Sequence, residues 1–491
     1  MVSVAVDHGT VTVEEGRCLA GQPLAQALLL QFWAMWSPSQ LERLYEENRG
    51  RSYERKLSFA SLVDMMVKVM VTKGGSFWRV LRKASHSGEL KASYQAVYGK
   101  IGRMPLRVSE ALVRHSAEVL EELGGAALAC AETEIPESLQ EFEVVVFDGK
   151  TIKHVPHRPK SVRVYSGKVL GSRLVVALDM RRGLVRAIAA SKDGYEGETN
   201  LVPRVLEQVR AQMAGRRLLS VVDRGYCDSV QFRRFTAGEG EILVRHRRSI
   251  KFERDESVAV REGEMEDGRR YWEEWGWLGG AKRGVYVRRI ELEQVEDEEE
   301  KEENEKKKKK KEDPFALVTS LLDAERYPAE DLLCLYEKRK RIETVFQHMS
   351  LVFGVNEVIS CTPCGTVFQA ALTLVLYNAL LVLICFIALW RALRAEQLSL
   401  RTICEDVRDQ LVVWRCSGGS VERLERDLAG VGLEEVRARV AKLTRMQWDP
   451  SWIKQPTTYP RPPKPPRVYP RGGAVSLSRA EEALKRQRRR C

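Results

Sequence analysis

The chain has 491 residues, 44% hydrophobic and 30% charged, which excludes an intrinsically disordered protein and predicts two or three globular domains. Its net charge of +12 and pI of about 9.2 point to a polyanionic partner, nucleic acid before an acidic membrane surface. The ten cysteines are scattered, with one CxxC pair at Cys361 and Cys364 and no second, so neither a zinc site nor a secreted disulfide framework is expected. The opening MVSVAVDHGTVTVEEG has acids and no basic stretch before an apolar run, so no signal peptide is expected there.

Residues 1–24 read as a lead segment. From 25 to 135 the apolar residues recur at helical spacing, as in QPLAQALLLQFWAMW and FASLVDMMVKVMV, with basic loops between, which predicts a helical N-terminal DNA-binding domain. PLRVSEALVRHSAEVLEEL starts at Pro105 and stops near Gly124 and Gly125. After Pro136 the pattern changes. EVVVFDGKTIKHV, GSRLVVALDMRRG and LVRAIAAS read as strands, TNLVPRVLEQVRAQMAG as a helix opened by Thr199, RRLLSVVDRGYCD as a buried strand and DSVQFRRF as a short helix. That succession predicts an α/β core over 136–239.

Residues 240–312 read as a β-rich insertion carrying Trp272, Trp275 and Trp277, followed by a charged low-complexity loop with Lys306 to Lys311. The core resumes over 313–395. There Ala370 to Trp390 is uncharged and long enough to cross a bilayer; a buried core helix is the reading here, with a membrane span as its rival. A helical region over 396–450 precedes a Pro-rich basic tail, 451–491, with eleven Lys or Arg against two Glu, a net of +9. The tail is expected to be partly disordered and to touch nucleic acid loosely or to aid solubility.

Three acids stand out by position. Asp148 ends VVVFD, Asp223 ends LLSVVD, and Glu343 lies in the helix CLYEKRKRIETVFQHM. Strand ends are where α/β sheets place chemistry, and an aspartate closing an apolar strand is costly to ionise unless exposed or bound to a cation. Three such carboxylates suit one or two Mg²⁺ ions. At about 100° per residue, Tyr336 to Glu343 spans about 700°, about 20° short of two turns, so Tyr336, Arg339 and Glu343 share a stripe. Leu335, Ile342, Val345, Phe346 and Met349 form the packing face. The bland alternative is a solvent-facing salt bridge between Arg339 and Glu343. Lys150 and Lys153, just past Asp148, suit phosphate neutralisation, and Arg224 and Tyr226, next to Asp223, suit holding phosphate or positioning the metal ligand. His154 and His157 lie in the same turn but are poor ligands for a hard cation, and Asp179 closes a strand without a matching motif, so it reads as structural.

The ordered set Asp148-Gly149, Asp223-Arg224-Gly225-Tyr226 and Tyr336-x-x-Arg339-x-x-x-Glu343 resembles the IS4-type DDE transposases. SYERKLSFASLVDMM, YGKIGRMPLRVSEALVR and ALVTSLLDAERYPAEDLLCLYEKR extend the likeness over roughly residues 25 to 395. The resemblance implies an RNase H-like catalytic core with Asp148, Asp223 and Glu343 as catalytic residues and metal ligands, and Mg²⁺ as cofactor with Mn²⁺ as a substitute. It implies cleavage at the ends of a mobile element and strand transfer into target DNA. Terminal inverted repeats and target DNA would be the partners, a homodimer would bridge two ends, and no membrane partner is expected. The expected location is bacterial cytoplasm, at the nucleoid.

The resemblance also implies a β insertion between the second aspartate and the glutamate, here a gap of 120 residues, in which a Trp stacks on a flipped base. Trp272, Trp275 and Trp277 are candidates for that role by location, packing in the insertion being the alternative. Tyr336, Arg339 and Lys340 complete the expected DNA contacts. Two positions depart from the family pattern: Ser350 stands where a lysine is usual, and Lys340 where tryptophan is common. Lys340 or Arg341 is expected to replace the lost cation. The alternatives are an RNase H-like nuclease without strand transfer and a catalytically inactive DNA-binding relative.

Overall fold

The structure, a computed structural model, describes residues 4–6, 9–11, 21–50, 57–70, 77–88, 90–152, 162–163, 167–293, 315–354, 362–417, 426, 428, 430–455 and 473–488. A hairpin, β1 (Val4–Val6) with β2 (Gly9–Val11), precedes the helices α1 (Pro23–Met35), α2 (Pro38–Asn48), α3 (Phe59–Met70), α4 (Phe77–His86), α5 (Tyr94–Gly102) and α6 (Leu106–Gly124). Local sequence sets their ends. Ser37 and Gln40 form a reciprocal capping box at the start of α2, with Pro38 in the first turn, where its missing N–H costs nothing. Gly125, at φ 48° and ψ −130°, takes a backbone conformation open mainly to glycine and stops α6.

One sheet organises the rest. Its strands are β3 (Phe142–Ile152), β5 (Ser172–Asp179), β6 (Val185–Ser191), β7 (Arg217–Val222), β8 (Gly240–Arg245), β9 (Phe252–Arg254), β10 (Arg261–Glu264), β11 (Arg270–Leu278), β12 (Val285–Leu292) and β13 (Phe315–Thr319). The short β4 (Val169–Leu170) lies outside it. The order is β10-β11-β12-β13-β8-β7-β3-β5-β6, with β9 on β11. Only β3–β7 and β7–β8 are parallel, so the domain is mixed α/β with an open, mostly antiparallel sheet and flanking helices. The Trp-rich strands continue the core sheet: β8, past the boundary expected at 240, pairs in parallel with β7, and β13 joins β8 to β12.

The period-2 alternation of β3 sorts the two faces. Val145 and Phe147 face the cluster with α7 (Glu198–Gln212) and α8 (Ser229–Phe235), while Val144 and Val146 face the larger helical core. That core includes α9 (Ala329–Glu337), α10 (Arg341–Leu351), α11 (Pro363–Arg391), α12 (Leu400–Cys416) and α13 (Leu433–Arg445). Helix α11 is long and apolar enough to cross a membrane, yet its most apolar window is 94% buried inside the protein. Thr362 caps its start, accepting from the Gly365 N–H, and Asn378 meets both backbone groups of Val185 on β6 at 2.9 Å. The residue that interrupts the apolar run thus closes the open edge of the sheet.

The tail departs from expectation at its far end. Val475–Ser476 (β14) pairs in parallel with β4, and α14 (Leu477–Arg488) follows. Leu477 and Ala480 bury against Val162 and Val169, Arg479 pairs with Asp193 at 2.6 Å, and the Tyr195 hydroxyl donates to the Ala474 carbonyl. Apolar residues at helical spacing in SLSRAEEALK supply the buried face of α14; the Pro-rich stretch, 456–472, lies outside the described residues.

Candidate active site

Strand register brings the aspartates together. The parallel β3–β7 ladder ends at Phe147 opposite Val222, so Asp148 and Asp223 occupy the next positions on adjacent strands. Strand β3 runs four residues past Asp148, which is therefore not at the strand's end as expected; it lies where β7 stops and β5 still continues the antiparallel pairing. The expected single helix around Glu343 is broken: α9 ends at Glu337, Lys338–Lys340 form a 3₁₀ turn, and α10 starts at Arg341. The packing face holds across the break, with Leu335, Ile342, Val345, Phe346 and Met349 all buried.

The three acids converge on one cation. Arg339 lies 3.6 Å from Asp148, 4.0 Å from Asp223 and 3.2 Å from Glu343 through its terminal nitrogens. Arg339 is largely buried, whereas Asp223 and Glu343 are 42% and 52% exposed on their side chains, so the centre opens to solvent on their side. Burial pushes the Asp148 carboxyl up to about 6, with Glu198 and Asp223 adding to the rise and the Gly149 N–H and Arg339 opposing it. Among the described residues no three His, Cys, Asp or Glu side chains lie close enough together to hold a metal ion. The donor set gathered round the guanidinium is nevertheless all carboxylate oxygen, the ligand chemistry of a hard divalent ion.

The remaining expected site residues separate into groups. Lys340 and Arg224 are exposed beside the centre. Lys150 reaches from β3 to α10, its ammonium 3.3 Å from the Ser350 hydroxyl and over the Phe346 ring. Arg341, expected as a replacement cation, donates instead to the carbonyls of Ala131 and Met180 and to Thr133. Tyr226 and Tyr336, expected at DNA, are buried: a phenol ring there gains more from packing than from solvent. Tyr336 donates to the Val222 carbonyl at 3.3 Å, pinning α9 to the residue before Asp223, and Tyr226 donates to Glu198. Lys153 lies outside the described residues.

Trp272, Trp275 and Trp277 are half-buried on β11. Trp275 donates to the Leu322 carbonyl at 2.9 Å, Trp277 packs edge-on against Tyr286, and Trp272 lies under Arg270. Asp179 is fully buried among Arg182, Arg186 and two backbone N–H groups, which hold its carboxyl below the usual range against the cost of burial. Sequence reasoning missed Glu198. Its signal is an acid at the N-terminus of a helix following a core strand, one residue before the helix start expected at Thr199.

Away from the sheet, α4 separates its faces sharply. Phe77, Leu81 and Ala84 are buried, whereas Trp78, Arg79, Arg82, Lys83 and His86 are exposed, with Arg82 stacked over the Trp78 ring at 5.2 Å.

A family model described as a transposase DDE domain matches residues 140–379, a span that contains Asp148, Asp223 and Glu343. An IS4-type DDE transposase domain is therefore present over that part of the chain. Among solved structures, the cryo-EM structure of a piggyBac transposase synaptic complex with hairpin DNA is similar at 10% identity, over 86% of this chain and 75% of that one, with a TM-score of 0.31. No curated protein sequence matches the chain.

Proposed function

We propose that this chain is the DNA transposase of an insertion sequence, cutting at the ends of its element and joining them to target DNA through Asp148, Asp223 and Glu343. The observation that carries the proposal is the convergence of those three carboxylates on Arg339, inside the span that matches the DDE domain. The sheet supports an RNase H-like reading of the core. Strand β5 runs antiparallel to both β3 and β6, and β7 and β8 run parallel to β3, with the first and fourth strands in chain order leading into the two aspartates.

Asp148, Asp223 and Glu343 would hold Mg²⁺, with Mn²⁺ as a substitute. A divalent ion held there would supply Lewis-acid polarisation of the scissile phosphate and of the attacking water or 3′-hydroxyl. The chain's own residues supply the rest. Asp148 and Asp223 are fixed by neighbouring strands, so their separation is set by the sheet. Glu343 sits on α10 and adjusts with it. Arg339 offsets the charge of the three acids and carries the fork of donors that suits a phosphate. Lys340, Arg224 and the cationic face of α4 supply phosphate contacts without reading sequence. Two copies would bridge the two element ends.

The test is a Mg²⁺-dependent reaction on DNA bearing the inverted repeats that flank the gene. Nicked ends covalently joined to a second duplex support the proposal. Cleavage without joining would make the protein an RNase H-like nuclease, and binding without cleavage an inactive relative.

A further inference from the structure

Glu198 opens α7 on the sheet face opposite the helical core and joins the two segments that carry the aspartates. Its carboxylate covers Gly149 so closely that a Cβ built there would lie 1.9 Å from the Glu198 Cδ. It accepts from the Tyr226 hydroxyl at 3.3 Å and pairs with Arg173 of β5 at 3.2 Å. Tyr226 is 1% exposed and its N–H donates to the Asp223 carbonyl at 2.9 Å, closing the 3₁₀ turn Arg224–Tyr226. The loop delivering Glu198 is itself held, since the Gly194 N–H donates to Ser476 at 3.3 Å and Asp193 pairs with Arg479.

We propose that Glu198 is a positioning residue of the carboxylate centre, locking the turn after Asp223 onto the strand that carries Asp148. The contact runs from Glu198 through Tyr226 to the Asp223 backbone on one side, and onto the bare backbone of Gly149 on the other. It gives Gly149 a physical reason: a side chain there would expel the carboxylate. The three nearest atoms to that Cβ all belong to the far end of the Glu198 side chain, so alanine at 149 displaces Glu198 and leaves the fold standing.

The inference rests on the carboxylate-centre reading and is tested on the full chain with Mn²⁺ titrations, thermal unfolding and DNA cleavage side by side. Glu198→Ala and Gly149→Ala should each lose about tenfold or more in Mn²⁺ affinity, as second-layer partners of metal ligands do, with unfolding midpoints close to wild type. The double variant should be no worse than either single one, because both remove the same contact. Tyr226→Phe, which deletes one hydroxyl, should show the same loss, whereas Glu198→Gln, which keeps an acceptor oxygen, should retain most of the affinity. Wild-type Mn²⁺ affinity in Glu198→Ala or Tyr226→Phe, additive losses in the double variant, or losses that only follow a fall in the unfolding midpoint would overturn the role. A wild type that binds no Mn²⁺ would instead contradict the carboxylate centre itself.

Discussion

Asn378→Leu tests why a polar residue sits in the middle of the most apolar helix. The asparagine is fully buried, and its amide accepts from the Val185 N–H and donates to the Val185 carbonyl, each at 2.9 Å. Strand β6 is the sheet's edge, so leucine would strand both Val185 groups in a dry core. Each unsatisfied group costs about 1–3 kcal/mol. The added apolar burial returns about 1–2 kcal/mol, so the central expectation is a net loss of about 2.5 kcal/mol. Asn378→Asp should cost more, because it sets a carboxylate oxygen against the Val185 carbonyl and buries a charge. The assay is urea unfolding followed by tryptophan fluorescence on protein extracted without detergent. A leucine variant within about 0.5 kcal/mol of wild type, the range of a neutral surface change, would refute the seating of α11 on the sheet edge, as would a chain released from cells only by detergent.

Three further outcomes follow from the same geometry. His348 is pushed down to about 4 by burial, with Lys454 adding to the effect, and it stacks on Tyr377. A folded value below the unfolded one means stability present above about pH 6.5 and lost as pH falls toward 4; His348→Phe should flatten that part of the pH–stability profile by about 3 kcal/mol, read from unfolding at successive pH values. Asp179→Asn removes one of the two carboxylates paired with buried Arg186, Glu121 being the other, and should cost about 3 kcal/mol in urea unfolding, as expected of a structural acid. Reversing Arg79, Arg82 and Lys83 to Glu should weaken duplex binding and make the log K against log salt slope shallower by about 2–3, at about 0.9 per lost phosphate contact, measured by fluorescence anisotropy.

How much of this was legible in the sequence depends on the range of the interaction. Asp148 and Asp223 could be found because apolar β-branched runs announce buried strands and each aspartate breaks its run. The packing face of the Glu343 segment could be found because its spacing survives the 3₁₀ turn at Lys338–Lys340; the turn itself has no periodic signature. Tyr226 and Tyr336 read as surface residues beside charged motifs, yet each ring fills space under a strand end, a fact fixed only by tertiary packing. Glu198 was invisible for the same reason. Fifty residues separate it from Asp148, and only the strand order β7-β3-β5 brings the start of α7 over Gly149. The Lys150–Ser350 contact, spanning 200 residues, could not be inferred from either motif.

The central claim is that Asp148, Asp223 and Glu343 form one cation-dependent centre. Its most direct test compares wild type with Asp148→Ala, Asp223→Ala and Glu343→Ala on end-labelled inverted-repeat DNA, with and without Mg²⁺. The account predicts free 3′-hydroxyl ends from wild type only when Mg²⁺ is present, and duplex binding without any cleavage from all three variants. Wild-type cleavage by any of the three variants would contradict it.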